Sequence, residues 1–316
     1  MWIYFLFIVG FIILIKGADY LVEGASAIAK RFGLSPLFIG LTIVSLGTSA
    51  PELFVNVTAS IEGSAGIIIG NILGSNIANI LLILGISAMV YPLTVHKNTI
   101  RKEIPFSLLA VLMVGILAND KIIDGANFNF LSRSEGLALI SFFIIFIYYV
   151  FGIMKTEKQE LDIKDRGIFS SSLMIIGGLI GLALGSQFIV DGGMAIAHLF
   201  SLSEAFIGLT IIAVGTSLPE LAASAAAAYK KKVDIAIGNV VGSNIFNIFL
   251  VLGVSSTISP IEFSPILNTD ILITIAVTVL LVLSMFIGKK QILQRWQGGA
   301  FVTLYVLYIA FLIYRG

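Results

Sequence analysis

With 316 residues, 58% of them hydrophobic, only 12% charged and a mean hydropathy of +1.05, the chain is not a soluble two-domain protein, which would carry roughly a quarter of its residues as Asp, Glu, Lys and Arg. Nineteen basic residues against eighteen acidic ones leave a net charge of +1, so nothing argues for a nucleic-acid partner or a basic peripheral protein. Cysteine is absent, and the two histidines, His96 and His198, stand far apart, which removes disulfides, thiolate chemistry and a zinc site.

The first apolar run has no basic residue before Lys16 and continues past it without a small-residue cleavage site, so it reads as a retained helix rather than a leader. A spanning helix needs about 20 mostly apolar residues, and such runs are expected at 2–30, 36–61, 65–90, 103–119, 134–154, 168–198, 204–229, 234–258, 269–288 and 298–315. Stretches such as Leu137 to Met154 are apolar on every face, which excludes a barrel of alternating strands. On helix 1, Lys16 and Asp19 are expected to pair along the helix, with Glu23 one turn further. Ser132 is expected to be a neutral loop position. Tyr148, Tyr149, Trp296 and Tyr314 fall near helix ends and read as interfacial anchors. The longest polar stretch, Lys155 to Arg166, has no EF-hand spacing and reads as a solvated connector. The expected organisation is a first half at 1–154, a cytoplasmic linker at 155–167 and a second half at 168–316.

Basic residues follow loop parity. With the N-terminus external, the loops after odd-numbered helices hold Lys30, Arg31, Lys97, Arg101, Lys102, the linker cations, Lys230, Lys231, Lys232, Lys289, Lys290 and Arg295, while the other side holds Lys121, Arg133 and Arg315. That asymmetry places both termini outside a cell membrane crossed many times.

An offset of 168 residues aligns Gly17–Pro92 with Gly185–Pro260 without a gap, and close to half of the aligned pairs are identical. GLTIVSLGTSAPEL (Gly40–Leu53) meets GLTIIAVGTSLPEL (Gly208–Leu221), and IGNILGSNIANILLILG (Ile69–Gly85) meets IGNVVGSNIFNIFLVLG (Ile237–Gly253). Five helices per half put the second half into the membrane from the opposite side. The expected fold is therefore all-α, a polytopic membrane protein of ten helices in two inverted five-helix repeats, with the second, third, seventh and eighth helices interrupted.

Gly40, Gly70, Gly85, Gly208, Gly238 and Gly253 are open to a packing role, since small residues let helices approach closely in lipid. That reading does not account for Glu52 and Glu220. A bare carboxylate at mid-membrane costs about 2.5 to 3.5 kcal/mol even on a lenient scale, and here one recurs at the same position in both halves. Pro51 and Pro219 cannot donate an amide hydrogen bond, which releases the carbonyls of Gly47 and Gly215. Thr48 and Ser49 share a face with Glu52, as Thr216 and Ser217 do with Glu220; Ser75 with Asn79 and Ser243 with Asn247 form four-apart pairs. Gathered together, these are oxygen ligands only. They suit Ca²⁺ and, on the same hard-ligand grounds, Na⁺; Mg²⁺ stays open, and copper and zinc do not fit.

At GTSAPE with GNILGSNIAN, and GTSLPE with GNVVGSNIFN, the sequence resembles the cation/Ca²⁺ exchanger superfamily, in particular its prokaryotic sodium/calcium exchangers. The resemblance extends over nearly the whole chain. It implies Ca²⁺ export driven by Na⁺ entry through alternating access, electrogenic at about three Na⁺ per Ca²⁺. It also implies Glu52 and Glu220 as shared Ca²⁺ ligands, with main-chain oxygens at Thr48 and Thr216 completing that shell. Na⁺ positions would use Ser49, Ser75, Ser217 and Ser243 with main-chain help from Ser45 and Ala213, while Asn79 and Asn247 line the centre. Asn247 stands where potassium-dependent members have Asp, which argues against K⁺ co-transport. The second motif carries no acid, where the proton-coupled branch typically has Glu, so Na⁺ coupling is favoured over H⁺ coupling. The ions are transported substrates, no cofactor is called for, and the oligomeric state stays open. A passive cation channel is the second reading, though paired carboxylates suit an occluded ion better than multi-ion conduction. An intramembrane hydrolase is the third; Ser49 and Ser217 lack a nearby His or Lys base in sequence, so a transporter and not an enzyme is expected.

Overall fold

The computed structural model describes residues 2–154, 166–199 and 213–315, without the side chains of residues 197–199 and of Ala213. Most of the expected linker, and the first part of the helix expected at 204–229 with Gly208, lie outside the described residues. Helix α1 runs Trp2–Phe32, and α2 (Pro36–Thr48) and α3 (Ala50–Ile61) meet at a 45° bend. There follow α4 (Ala65–Val90), α5 (Glu103–Leu117), α6 (Arg133–Gly152), α7 (Ile168–Leu199), α8 (Ala213–Thr216), α9 (Leu218–Tyr229), α10 (Val233–Ile258), α11 (Asn268–Ser284) and α12 (Arg295–Arg315). Among the described residues, seven helices are long and apolar enough to cross a bilayer, and the bent pair makes an eighth.

Local signals set these ends. Gly33, with φ at +62°, closes α1, and the Leu34 amide reaches back to the Ala29 carbonyl at 2.9 Å, a left-handed cap that side chains with a Cβ disfavour. Ser35 caps α2, accepting from the Phe38 amide at 3.0 Å ahead of Pro36 in the first turn. Ser132 is not a neutral loop residue: it forms a capping box with Glu135 at the start of α6, because its hydroxyl and the Glu135 carboxylate satisfy amides that the first turn leaves open. Helix α5 is shorter than expected. Its 15 residues cover about 22 Å of an apolar core about 30 Å thick, and Asn119 stops it by donating to the Gly115 carbonyl at 2.8 Å.

The centre of the bundle is α4 and α10, which are not interrupted as expected: each runs as one helix, with only a widened π-helical stretch at Asn79–Ile83 and Phe246–Leu252, because neither holds a proline that would remove an amide. Their most apolar windows are 72% and 94% buried, against 22 to 33% for α1, α6, α7, α11 and α12, so the peripheral helices face lipid and the two motif-bearing helices face protein. Contacts recur as image pairs, at the offset of 168 within the aligned segments and at a slightly shorter one beyond them. Strand β1 (Leu93–Thr94) pairs with β4 (Ile292–Leu293), while its image β3 (Ile261–Glu262) pairs with β2 (Phe130–Leu131). Gly10 lies against Gly185 and Gly17 against Gly178, where any Cβ would meet backbone, so α1 and α7 run in close contact. Gly40 abuts Gly238, Gly85 abuts Gly298 and Gly253 abuts Gly136. For these four motif glycines the packing role is the one observed; nothing crowds Gly70 among the described residues.

Two side-chain expectations are corrected. Asp19 pairs with Lys230 at the end of α9, at 2.9 Å, rather than with Lys16, because Asp19 and Glu23 stand one turn apart on α1 and converge on one ammonium group brought in by α9. Tyr148, Trp296 and Tyr314 are exposed as anchors would be, but Tyr149 instead donates to the Glu103 carboxylate and ties α6 to α5. A similar tie joins α12 to α11, where Arg315 lies 2.9 Å from Asp270 and the Tyr308 hydroxyl donates to the same carboxylate at 3.1 Å.

Candidate ion-binding site

The two motifs of each half meet at the middle of the bundle. Pro51 sits in the first turn of α3, so the chain breaks at Ser49 (φ −84°, ψ 5°) and Glu52 enters on the first turn of a new helix. Ser217 repeats this with φ −89°, ψ 4°, and Glu220 follows in the first turn of α9. A proline at such a position lacks the amide that would continue the preceding turn, which is why the break falls there in both halves. Glu52 and Glu220 are each 1% exposed. The fresh helix starts also aim positive dipole ends at these two carboxylates.

Four of the side-chain contacts across the centre recur as image pairs. Ser49 Oγ donates to Glu220 Oε1 at 2.9 Å and lies 2.9 Å from Ser243 Oγ, which is 3.4 Å from the same carboxylate oxygen. In the image, Ser217 Oγ lies 3.2 Å from Ser75 Oγ and against the Glu52 carboxylate. Thr48 Oγ1 donates to Asn239 Oδ1 at 3.1 Å, and Thr216 Oγ1 to Asn71 Oδ1 at 3.3 Å. Asn79 Nδ2 donates to Asn244 Oδ1 at 2.9 Å, and Asn247 Nδ2 to Asn76 Oδ1 at 3.1 Å. The Asn79 and Asn247 amide groups thus donate to asparagines of the opposite half. Four oxygens, Glu52 Oε2, Glu220 Oε2, Asn79 Oδ1 and Asn247 Oδ1, are left buried with no hydrogen-bond donor among the described residues. They form two image pairs of acceptors, two of them on carboxylates that repel one another, in a region where unsatisfied polar atoms are costly.

Of the expected ligands, Thr48, Ser49 and Ser243 gather about Glu220, Ser75 and Ser217 about Glu52, Thr216 on Asn71, and Asn79 and Asn247 on the asparagines of the opposite half. Ser45 lies one turn before the break, fully buried against Gly242, and its carbonyl accepts from the Ser49 amide at 2.9 Å. Ala213 begins α8, and its side chain lies outside the described residues. No cluster of three or more His, Cys, Asp or Glu occurs among the described residues, so the donor set is hydroxyl and amide oxygen around a carboxylate pair. That is the chemistry of hard cations.

Four asparagines that orient this network, Asn71, Asn76, Asn239 and Asn244, were not singled out by motif reading, although each is identical to its image within the repeated block. Behind them, Asn239 Nδ2 donates to Ser224 Oγ at 2.9 Å, whereas the image atoms, Asn71 Nδ2 and Asn56 Oδ1, are both unpaired among the described residues. The first half is thus less tightly closed than the second. Because Asn244 holds the Asn79 amide, Asn244→Ala should leave a buried donor unmade and cost about 1–3 kcal/mol of stability. Thermal unfolding of the detergent-solubilised protein would record this as a lowered midpoint.

A model of the sodium/calcium exchanger protein family matches residues 2–152 and 170–314. The chain is 40% identical over 272 residues to the Escherichia coli inner membrane protein YrbG, covering 83% of this chain and 81% of that protein. It is 31% identical over 348 residues to the sodium/calcium exchanger MaX1 of Methanosarcina acetivorans, covering 98% and 97%. Its fold matches the solved structure of the sodium-calcium exchanger NCX_Mj soaked with 2.5 mM Na⁺ and 0.1 mM Ca²⁺, with a TM-score of 0.84, 34% identity and 98% of each chain covered.

Proposed function

The chain belongs to the sodium/calcium exchanger family, and from that premise we propose that it is an electrogenic, K⁺-independent antiporter that exchanges Na⁺ for Ca²⁺ by alternating access. The observation that carries this reading is the set of four buried, donor-free oxygens from Glu52, Glu220, Asn79 and Asn247. Two carboxylates balance one divalent ion, and main-chain oxygens at Thr48 and Thr216 complete the shell. Ser49, Ser75, Ser217 and Ser243, with the main chain at Ser45 and Ala213, hold Na⁺ beside it. When Na⁺ enters these flanking positions it competes for the same carboxylates, so the two ions exclude one another, which is the physical basis of exchange rather than co-transport.

The architecture proposed for this cycle is two inverted five-helix repeats, 1–154 and 168–316, joined by a cytoplasmic linker at 155–167 and making ten spans. The recurrence of contacts as image pairs between the halves supports it, since a two-fold axis in the membrane plane generates such pairs. Uptake of radioactive Ca²⁺ into Na⁺-loaded proteoliposomes, with Na⁺, K⁺ and proton gradients varied singly, tests the function. Uptake that requires Na⁺ inside is expected, and Ca²⁺ flux indifferent to internal Na⁺ would instead indicate a passive pathway. Both termini are proposed to be external. Because the chain has no native cysteine, cysteines introduced singly at Thr156 and Gly316 should label from opposite faces with an impermeant thiol reagent; labelling from one face would refute the map.

A further inference from the structure

The contacts of the two halves are not all symmetric. Helix α1 lies along α9, whereas the image helices α7 and α3 barely touch. The exposure of image residues agrees: Thr58 on α3 is exposed, and its image Ala226 on α9 is half-buried. Where α1 meets the end of α9, Lys230 Nζ lies 2.9 Å from Asp19 Oδ1, 3.1 Å from Glu23 Oε1 and 3.2 Å from the Asp19 carbonyl. Arg166, just ahead of α7, adds a second cation to Glu23 at 3.0 Å. The Lys230 side chain is only 20% exposed, so solvent screens these pairs less than it would an open surface pair.

The offset of 168 converts Lys230 to Glu62, Asp19 to Gln187 and Glu23 to Asp191, and Arg166 has no image. Gln187 and Asp191 bond to each other at 2.8 Å along α7, and Glu62 is exposed. An inverted repeat reaches its opposite-facing state by exchanging the conformations of its halves, which would dock α7 on α3 as α1 now docks on α9. In that state Asp191 would approach Glu62, a like-charge contact, and the cation network would be broken.

We propose that Lys230, Arg166, Asp19 and Glu23 form a one-sided electrostatic latch that holds the cytoplasmic side of the transporter shut and biases the free carrier toward the outward-facing state. The inference rests on the inverted-repeat antiport reading for its assignment of sides.

The test uses the full chain in proteoliposomes carrying either Ala226→Cys, one turn from Lys230 on the same face of α9, or its image Thr58→Cys. Adding Lys230→Gln should speed cytoplasmic labelling of Ala226→Cys by an impermeant thiol reagent roughly fivefold, the order expected from losing a partly buried charge network. Removing a nearby cation by itself lowers thiol reactivity, so faster labelling reads accessibility. Glu62→Lys, with Lys230 intact, should give Asp191 a partner in the opposite state and slow external labelling of Thr58→Cys by a similar factor. Unchanged or slower cytoplasmic labelling in the first variant together with unchanged external labelling in the second would overturn the latch. If Lys230→Gln does not fold, the Glu62→Lys result alone decides. Labelling needs no ion gradient, so a protein that labels as expected but shows no Na⁺-dependent Ca²⁺ uptake would refute the antiport reading and leave the latch standing.

Discussion

Glu52→Gln and Glu220→Gln should each abolish Na⁺-driven Ca²⁺ uptake while the protein still inserts and folds. Each substitution keeps the shape of the side chain and one carbonyl oxygen but halves the fixed negative charge at the centre. A divalent ion must shed most of its water to enter a buried site, and a single carboxylate with neutral oxygens does not offset that loss. Folding should survive because a neutral amide at mid-membrane is less costly than a carboxylate, because the Ser49 and Ser243 contacts to the Glu220 carboxylate can be made to an amide oxygen, and because Asn239 donates to the Glu220 main-chain carbonyl, which the change leaves in place. Proteoliposome uptake paired with thermal unfolding separates the two effects. Full Ca²⁺ transport by either variant would sink the assignment of a shared divalent site.

Transport should respond to membrane potential and ignore K⁺. If about three Na⁺ exchange for one Ca²⁺, one net positive charge moves with Na⁺ in each cycle, and a potential of about 100 mV changes the driving force by about 2.3 kcal/mol. That shift corresponds to more than a tenfold change in the attainable Ca²⁺ gradient. In Na⁺-loaded vesicles, Na⁺ leaves as Ca²⁺ enters and net positive charge leaves with it. An inside-positive potential should therefore speed Ca²⁺ uptake, and an inside-negative one should slow it. Vesicles clamped with a K⁺ ionophore at several K⁺ ratios would show the trend, and rates indifferent to voltage would reject electrogenic exchange. With choline in place of K⁺ on both sides and no imposed voltage, the rate should be unchanged, because Asn247 supplies an amide and no additional carboxylate for K⁺.

The latch and the central site differ in how far they could be read from the chain alone. Glu52 and Glu220 were legible because a carboxylate in an apolar run is rare and costly, and because the same Gly-Thr-Ser-x-Pro frame precedes both. Pro51 and Pro219 marked the helix breaks for a local reason, the missing amide. Asp19 and Glu23 were legible as acids but not in their partners: a pairing with Lys16 follows from sequence neighbourhood, whereas Lys230 lies 211 residues from Asp19. Likewise Asn71, Asn76, Asn239 and Asn244 stood in the repeated blocks without any local sign that they would consume the donors of Thr216, Asn247, Thr48 and Asn79.

The sequence by itself determined that the chain spans a membrane, that its halves repeat, where the proline-bearing motif helices break and which acids lie within them. Each of these follows from a property summed or repeated along the chain: apolar runs long enough for lipid, one offset, a proline without an amide. Only the tertiary structure decided which oxygens remain free of donors, which asparagines aim them, and that α1 docks on α9 while α7 stands off α3. Those outcomes depend on hydrogen bonds and ion pairs between residues roughly half the chain apart, and in an apolar medium such polar groups take whichever partner the helix packing brings within reach.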